Sequence, residues 1–237
     1  MSDKIDISED RKWFNEKRAA IVVTNFNKRR LNAQYVPSRQ EALDVILEMI
    51  PKGVTVARGS SLTLDQLGIT TELRKNNRNK VSHPTEKGVD GRYIIKDKEK
   101  RFGMLREAFV SDVYLTSTNA ITLDGKLVNV DGVGNRVAAM IFGPKKLIVV
   151  AGVNKIVEDV DEALARIREV AAPINAERHF REFKMLEWGN LPCVRTGRCA
   201  DCRNEWRNCN FTVITEGIMA WDKGRINVVL IGEEMGI

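Results

Sequence analysis

The segment "LPCVRTGRCADCRNEWRNCN", residues 191–210, holds all four cysteines of the 237-residue chain. Cys193, Cys199, Cys202 and Cys209 follow the spacing C-x5-C-x2-C-x6-C. Thiolates are soft metal ligands and good nucleophiles, so three chemistries are open to this pattern. The four could wrap a [4Fe–4S] cluster, in which each iron takes one thiolate. They could bind zinc, although four-cysteine zinc sites usually come as two separated C-x2-C pairs and only one is present. They could also be free thiols or redox-switchable disulfides. In a reducing compartment clustered cysteines bind metal more often than they pair. The compact spacing favours the cluster. Arg195, Arg198, Arg203 and Arg207 in the same segment would offset the negative charge of either metal site.

The compartment follows from the rest of the chain. The start, "MSDKIDISEDRKW", is charged and lacks the apolar core of a secretion signal. The longest apolar run, "LIVVAGV", is strand-length, far short of the roughly 20 residues that cross a bilayer. These features predict a cytoplasmic protein without a membrane span. The net charge is +6, but 38 basic and 32 acidic residues are interspersed and only 6% of residues are aromatic. That pattern argues against a nucleic-acid surface, which gathers basic charge in a patch with aromatics between. A small anionic metabolite needs only a local share of such charge.

The elements that must position this chemistry alternate. Residues 8–35 read as helix, and "SRQEALDVILEMI" opens with Ser38 and Glu41 in capping-box spacing. "GVTVARGSS" is a buried strand entering a small-residue turn, and "AITLDGKLVNV" is a hairpin about Asp124-Gly125. Core strands are expected near 54–58, 112–117, 146–151, 211–216 and 226–231. Continuous apolar strands between amphipathic helices predict an α/β fold with a mostly parallel sheet covered on both faces. The expected organisation is a helical N-terminal extension over 1–36 and one α/β domain over 37–237 that includes the cysteine loop.

Ligands of open α/β sheets bind outside the C-terminal strand ends. Four loops there are rich in small polar residues: 58–63, 116–120, 131–136 and 151–155. Such residues let backbone N–H groups approach phosphates and carboxylates. Gly59, Ser60, Ser61, Thr118, Asn119, Asn135, Arg136, Asn154 and Lys155 are therefore the candidate ligand residues, with Arg58 adding charge. Arg136 could grip a carboxylate with two parallel hydrogen bonds, or pair with neighbouring Asp131. "GVGNRVA" is a broken dinucleotide fingerprint, with Val137 at the third glycine position. His83, in "VSHPT", could reach a strand end near the cleft.

The sequence "ARGSSLTLDQLGI" followed by "DVYLTSTNAITLDGKLVNVDGVGNRVAAMIFGPKKLIVVAGVNKIVEDVDEAL" resembles the LUD-domain (lactate-utilisation) family. The likeness runs through most of residues 35–235. It implies a Rossmann-like fold related to ribose-5-phosphate isomerase, glucosamine-6-phosphate deaminase and the CoA transferases, with "GSSLT" as the glycine-rich anion loop. It does not imply their reactions, because "TSTNAITLDG" lacks the nucleophilic glutamate of the CoA transferases. Some members of the family take part in lactate oxidation beside iron–sulfur partners. Relatives with a similar "PC..TG.C.DC" tail lean toward an iron–sulfur cluster.

Three readings follow. The first is a redox protein that binds lactate or a related 2-hydroxy or 2-oxo acid, uses a [4Fe–4S] cluster and exchanges electrons with a partner protein. The second is a non-catalytic subunit or ligand sensor with structural metal. The third is a sugar-phosphate or CoA-ester enzyme with Asp131 or Asp124 as acid/base. A homo-oligomer is compatible with each.

Overall fold

The computed structural model describes residues 6–237. Helix α1 (Ser8–Lys28) leads to β1 (Asn32–Val36), α2 (Arg39–Met49) and β2 (Thr55–Arg58). Then come α3 (Leu62–Leu67), α4 (Ile69–Arg74), β3 (Lys80–Ser82) and α5 (Lys98–Glu107). The centre of the chain forms β4 (Val113–Thr116), β5 (Ala120–Thr122), β6 (Leu127–Asp131), α6 (Asn135–Ile141) and β7 (Lys146–Gly152). The remainder comprises β8 (Ile156–Val157), α7 (Val160–Arg166), a π-helical turn (Ile167–Ala171), α8 (Ala172–Arg181), α9 (Pro192–Thr196), β9 (Phe211–Thr215) and β10 (Ile226–Ile231).

Six strands form one parallel sheet in the order β1-β10-β7-β4-β2-β3. Its central strands are apolar on both faces, as parallel strands covered by helices must be. Val149 faces a core shared with Phe26 of α1 and with Ile121 and Leu127 of the hairpin. Val150, one residue on, faces a second core built with Ile46, Leu64 and Leu73 of α2, α3 and α4. Both valines are fully buried.

From β2 the chain steps outward to β3, then returns to β4 on the other side of β2. This reversal leaves a crevice at the C-terminal ends of β2 and β4, the place where α/β sheets bind ligands. A smaller sheet, β8-β5-β6-β9, lies beside it. The hairpin turns at Gly125, with φ +83°. A Cβ there would approach the Asn25 carbonyl carbon and the Phe26 nitrogen to 2.8 Å, so this glycine lets the turn pack on α1. Ser38 caps α2 as its spacing predicts, with Oγ accepting from the Glu41 N–H at 3.2 Å.

Two expectations are corrected. Residues 29–36 are not helical: Arg30 takes a left-handed conformation (φ 67°), α1 ends, and β1 becomes an edge strand of the main sheet. "NAQYV" hides this because an edge strand has a single neighbour and tolerates polar residues, here with Asn32 bonded to Asn227 at 3.0 Å. The segment 211–216 does not join the parallel sheet. Residues 211–215, β9, pair antiparallel with β6, leaving Phe211 and Ile214 exposed.

Because Val149 and Val150 each complete a different face, truncating either to alanine should lower stability by about 1–3 kcal/mol, from lost transfer energy and cavity formation. Urea unfolding measures this; a loss confined to one position would show that only one face of β7 is packed.

Candidate functional site

A cavity of about 340 Å³ opens at the crevice. Its inner end is formed by the loops after β2 and β4 and by Lys155 beyond β7; α5, α6, the π turn and α8 contribute further, with Thr85, Tyr93, Asp131, Trp188 and Asn208 from other segments. Gly59, Ser60, Ser61, Thr118, Asn119, Asn135, Arg136 and Lys155 all line it. Asn154 does not. Its Oδ1 accepts from the Met235 N–H at 3.0 Å and pins the segment after β10 across the end of β7. Gly152 permits that crossing, since a Cβ would meet Glu233 O and Met235 N at 2.5 Å.

Much of the polar lining is scaffolding. Buried Arg58 lies behind the 59–61 turn, donating to Gly59 O, Ser61 O, Thr70 Oγ1 and, at 2.7 Å, Asp65 Oδ1. It holds the turn rather than offering charge to the cavity. The backbone N–H groups of residues 59–61 donate to no acceptor among the described residues, so they are available to a ligand. Arg136 is fully engaged. Its Nη1 donates to Ser117 O and Asn129 Oδ1, its Nη2 to Asn119 Oδ1 and Val130 O, and its Nε faces Asp131 Oδ2 at 3.4 Å. Its fork therefore braces the loop after β4 against β6, and the Asp131 pairing considered from sequence is the one present. Asp131 also accepts from the Val133 and Gly134 N–H groups. Asp124 pairs with Arg29, away from the cavity lining. Neither aspartate is placed as a free acid/base. His83 lies outside the lining, and burial holds its imidazole at about 3.

Lys155 is different. It is 3% exposed, and its Nζ lies 3.1 Å from Thr63 Oγ1, 2.9 Å from Ser117 Oγ and 3.1 Å from Thr118 O. No carboxylate pairs with it among the described residues. Burial, then the positive fields of Arg166 and Arg136, lower its pKa to about 7. A buried ammonium without an anion is costly, and a bound anion would relieve that cost. Arg166 holds the adjoining loops, donating to Asn119 O at 2.7 Å and Asn154 O at 3.3 Å.

The cysteine loop adjoins this cavity. Asn208 lines it, and the Asn210 N–H donates to Asp131 O at 2.9 Å while Asn210 Nδ2 donates to Gly132 O. On the other side, Trp188 lines the cavity and packs in a small core with Cys193. Arg207 gathers the loop by donating to the carbonyls of Cys202 and Cys209. Burial and the nearby thiols of Cys202 and Cys209 push the Cys193 thiol up. Cys199 is exposed, its Sγ contacted by the Asp201 N–H at 3.5 Å. As they stand, no three or more His, Cys, Asp or Glu side chains among the described residues are close enough to hold a metal ion.

The family model of the LUD domain matches residues 19–231. The chain belongs to the LUD-domain family. Among solved structures, it is similar to a DUF162 family protein from Deinococcus radiodurans, with 14% identity, a TM-score of 0.46 and coverage of 93% of this chain and 96% of that one. Two subunits from Chaetomium thermophilum are also similar. eIF2B delta has 16% identity, a TM-score of 0.33 and coverage of 54% and 50%; eIF2B beta has 12%, 0.35, and 53% and 41%. No curated protein matches the chain.

Several lining residues of this LUD domain escape a loop-by-loop reading of the sequence. Thr63 and Ser117 flank expected positions, but Tyr93, Arg101, Asn175, Arg178, His179 and Trp188 come from other segments. A helical signal was available. Ala171, Asn175, Arg178 and His179 fall at i, i+4, i+7 and i+8, one face of a helix, as Arg101, Phe102 and Leu105 share a face of α5. His179 stacks on Trp188 at 4.4 Å, and burial, with Lys87 and Arg178 nearby, lowers its pKa to about 3. It is neutral at physiological pH.

For the LUD domain the Lys155 environment sets a pH dependence. The ammonium predominates below about 7, and it is the form that would attract an anion. Affinity for a carboxylate probe such as lactate, if Lys155 is its partner, should therefore be highest on the acid side and fall by up to about tenfold per pH unit above the lysine pKa. Lys155→Met should lower affinity and flatten the profile. Calorimetric titrations from about pH 6 to 9 test this; a flat wild-type profile would exclude Lys155 as the anion partner.

Proposed function

We propose that this LUD-domain protein binds a small anionic metabolite, lactate or a related 2-hydroxy or 2-oxo acid, with its carboxylate at Lys155 and the free N–H groups of the 59–61 turn. The observation that carries this reading is the buried Lys155 at the inner end of the cavity, with hydroxyl and carbonyl neighbours but no carboxylate. Among the lining side chains, Arg101, Arg136, Lys155 and Arg178 outnumber the one acidic side chain, Asp131, so the cavity favours negative charge. Ser60 and Asn135 are further polar lining groups whose side chains make no hydrogen bond to the described residues, leaving them to meet a hydroxyl or keto oxygen.

The second element of the proposal is an iron–sulfur cluster on the cysteine loop, with a redox role beside a partner protein. The donor set suits it: four thiols in one short segment, with Cys202 and Cys209 near enough to push the Cys193 thiol up and Arg207 gathering the backbone around them. Cys199, exposed on the same loop, would complete the set. Bound there, a cluster would supply one-electron exchange beside the cavity. The chain's own contribution is position: Asn210 ties the loop to Asp131 and Gly132, and Asn208 of the same loop lines the cavity.

Protein purified without oxygen should be brown and contain roughly four iron and four sulfide per chain, as a [4Fe–4S] cluster requires. Serine in place of any one of Cys193, Cys199, Cys202 or Cys209 should lower that content. A colourless protein with stoichiometric zinc, made with ample iron, would replace the redox role with a structural metal.

A further inference from the structure

The cavity holds more than a lactate-sized acid needs. At roughly 30 Å³ per water-sized group, the six heavy atoms of a 2-hydroxy acid such as lactate occupy about half of the 340 Å³. The remaining space borders a wall that the main sheet does not supply. Arg101 and Arg178 stand in that wall, and neither is saturated. Arg101 uses Nη1 on Ile95 O and Lys96 O, at 2.7 and 2.8 Å, and stacks over Tyr93 at 4.4 Å. Arg178 uses Nε on Glu182 Oε2 at 3.2 Å and lies 5.2 Å from the Phe183 ring centre. The other N–H groups of both guanidinium ions donate to no acceptor among the described residues.

Lys87 adds a third basic group between them, its pKa lowered to about 7 by burial and the Arg178 charge. Its Nζ lies 3.1 Å from the Phe183 ring centre and 4.7 Å from that of Tyr93, buried and without a hydrogen-bond partner. Arg101, Tyr93, Lys87, Phe183 and Arg178 thus form one cation–aromatic array, with Glu182 paired to Arg178. The same wall carries two neutral groups lacking partners. Trp188 Nε1 is buried and unbonded in a side chain 9% exposed, and Thr85 Oγ1 is buried and unbonded. Both residues line the cavity. Buried polar groups are nearly always hydrogen-bonded, so two without partners in lining residues set this wall apart from the sheet end of the cavity.

We infer that the ligand carries a second anionic group, a phosphate or a second carboxylate, held at the outer wall by Arg101 and Arg178. This inference rests on the anion site proposed at Lys155 and extends it to a two-ended ligand.

Calorimetric titration of the full chain with four probes tests it: L-lactate (one anion), L-malate (two carboxylates), 3-phosphoglycerate (carboxylate and phosphate) and inorganic phosphate. At least one two-ended probe should bind about tenfold tighter than lactate, or about 1.4 kcal/mol. Malate against 3-phosphoglycerate decides which second anion the wall takes. Inorganic phosphate should bind more weakly than the preferred two-ended probe. In Arg101→Gln and Arg178→Gln the ratio of two-ended to lactate affinity should fall toward one, with Arg178→Lys keeping part of it. Melting curves and the residual lactate titration show that each variant is folded. Lactate binding as tightly as both two-ended probes would overturn the inference while leaving the Lys155 site standing. So would a preference that survives in both Gln variants. If no probe binds, the anion site itself falls, and the two-ended ligand with it.

Discussion

Burying an amino group without a carboxylate costs more than burying almost any other side chain, because the ammonium loses its hydration and gains only neutral acceptors. This protein accepts that cost at Lys155, and much of the site serves the arrangement. Thr63, Ser117 and the Thr118 carbonyl surround Nζ. Arg166 and Arg136 hold the neighbouring loops and in doing so add positive field that disfavours the ammonium further. A cationic pocket that repels its own lysine proton would be relieved by an incoming negative charge.

The fold supplies the rigidity this requires. Lys155 follows β7, the central strand packed on both faces, and the loop after β4 is bound to β6 through Arg136 and Asn119. Arg58 does the same for the 59–61 turn from beneath. Two arginines that look like ligand grips in the sequence are thus internal struts. The unsaturated guanidinium groups belong instead to Arg101 and Arg178, on helices outside the sheet.

This division explains what the sequence disclosed. β7 and β10 are unbroken apolar runs, so their burial on both faces was legible, as were the Ser38 cap and the Asp124-Gly125 hairpin. Most of the sheet-edge residues reached the cavity because small polar loops at strand ends obey a positional rule. β1 was read as helix because an edge strand needs little apolar pattern, and β9 was read as a strand but placed in the wrong sheet because its pairing with β6 is remote in the chain. Asn154 was misassigned because its partner, the Met235 N–H, is remote in the chain. The outer wall stayed hidden because a π-helical turn and a helix face place Asn175 and Arg178, and no turn residue marks them. For Arg136 the residue type was informative and its role was not: a guanidinium's partners are a property of the fold.

The central claim is that Lys155 titrates near neutrality and takes up a proton when an anion binds. Carbon-13 NMR of the lysine side chains, with Lys155→Met identifying the signal, measures this directly. The account predicts a Lys155 titration near 7 in the free protein that moves to higher pH with saturating carboxylate ligand. An ordinary lysine titration above about 10 in both states would contradict it.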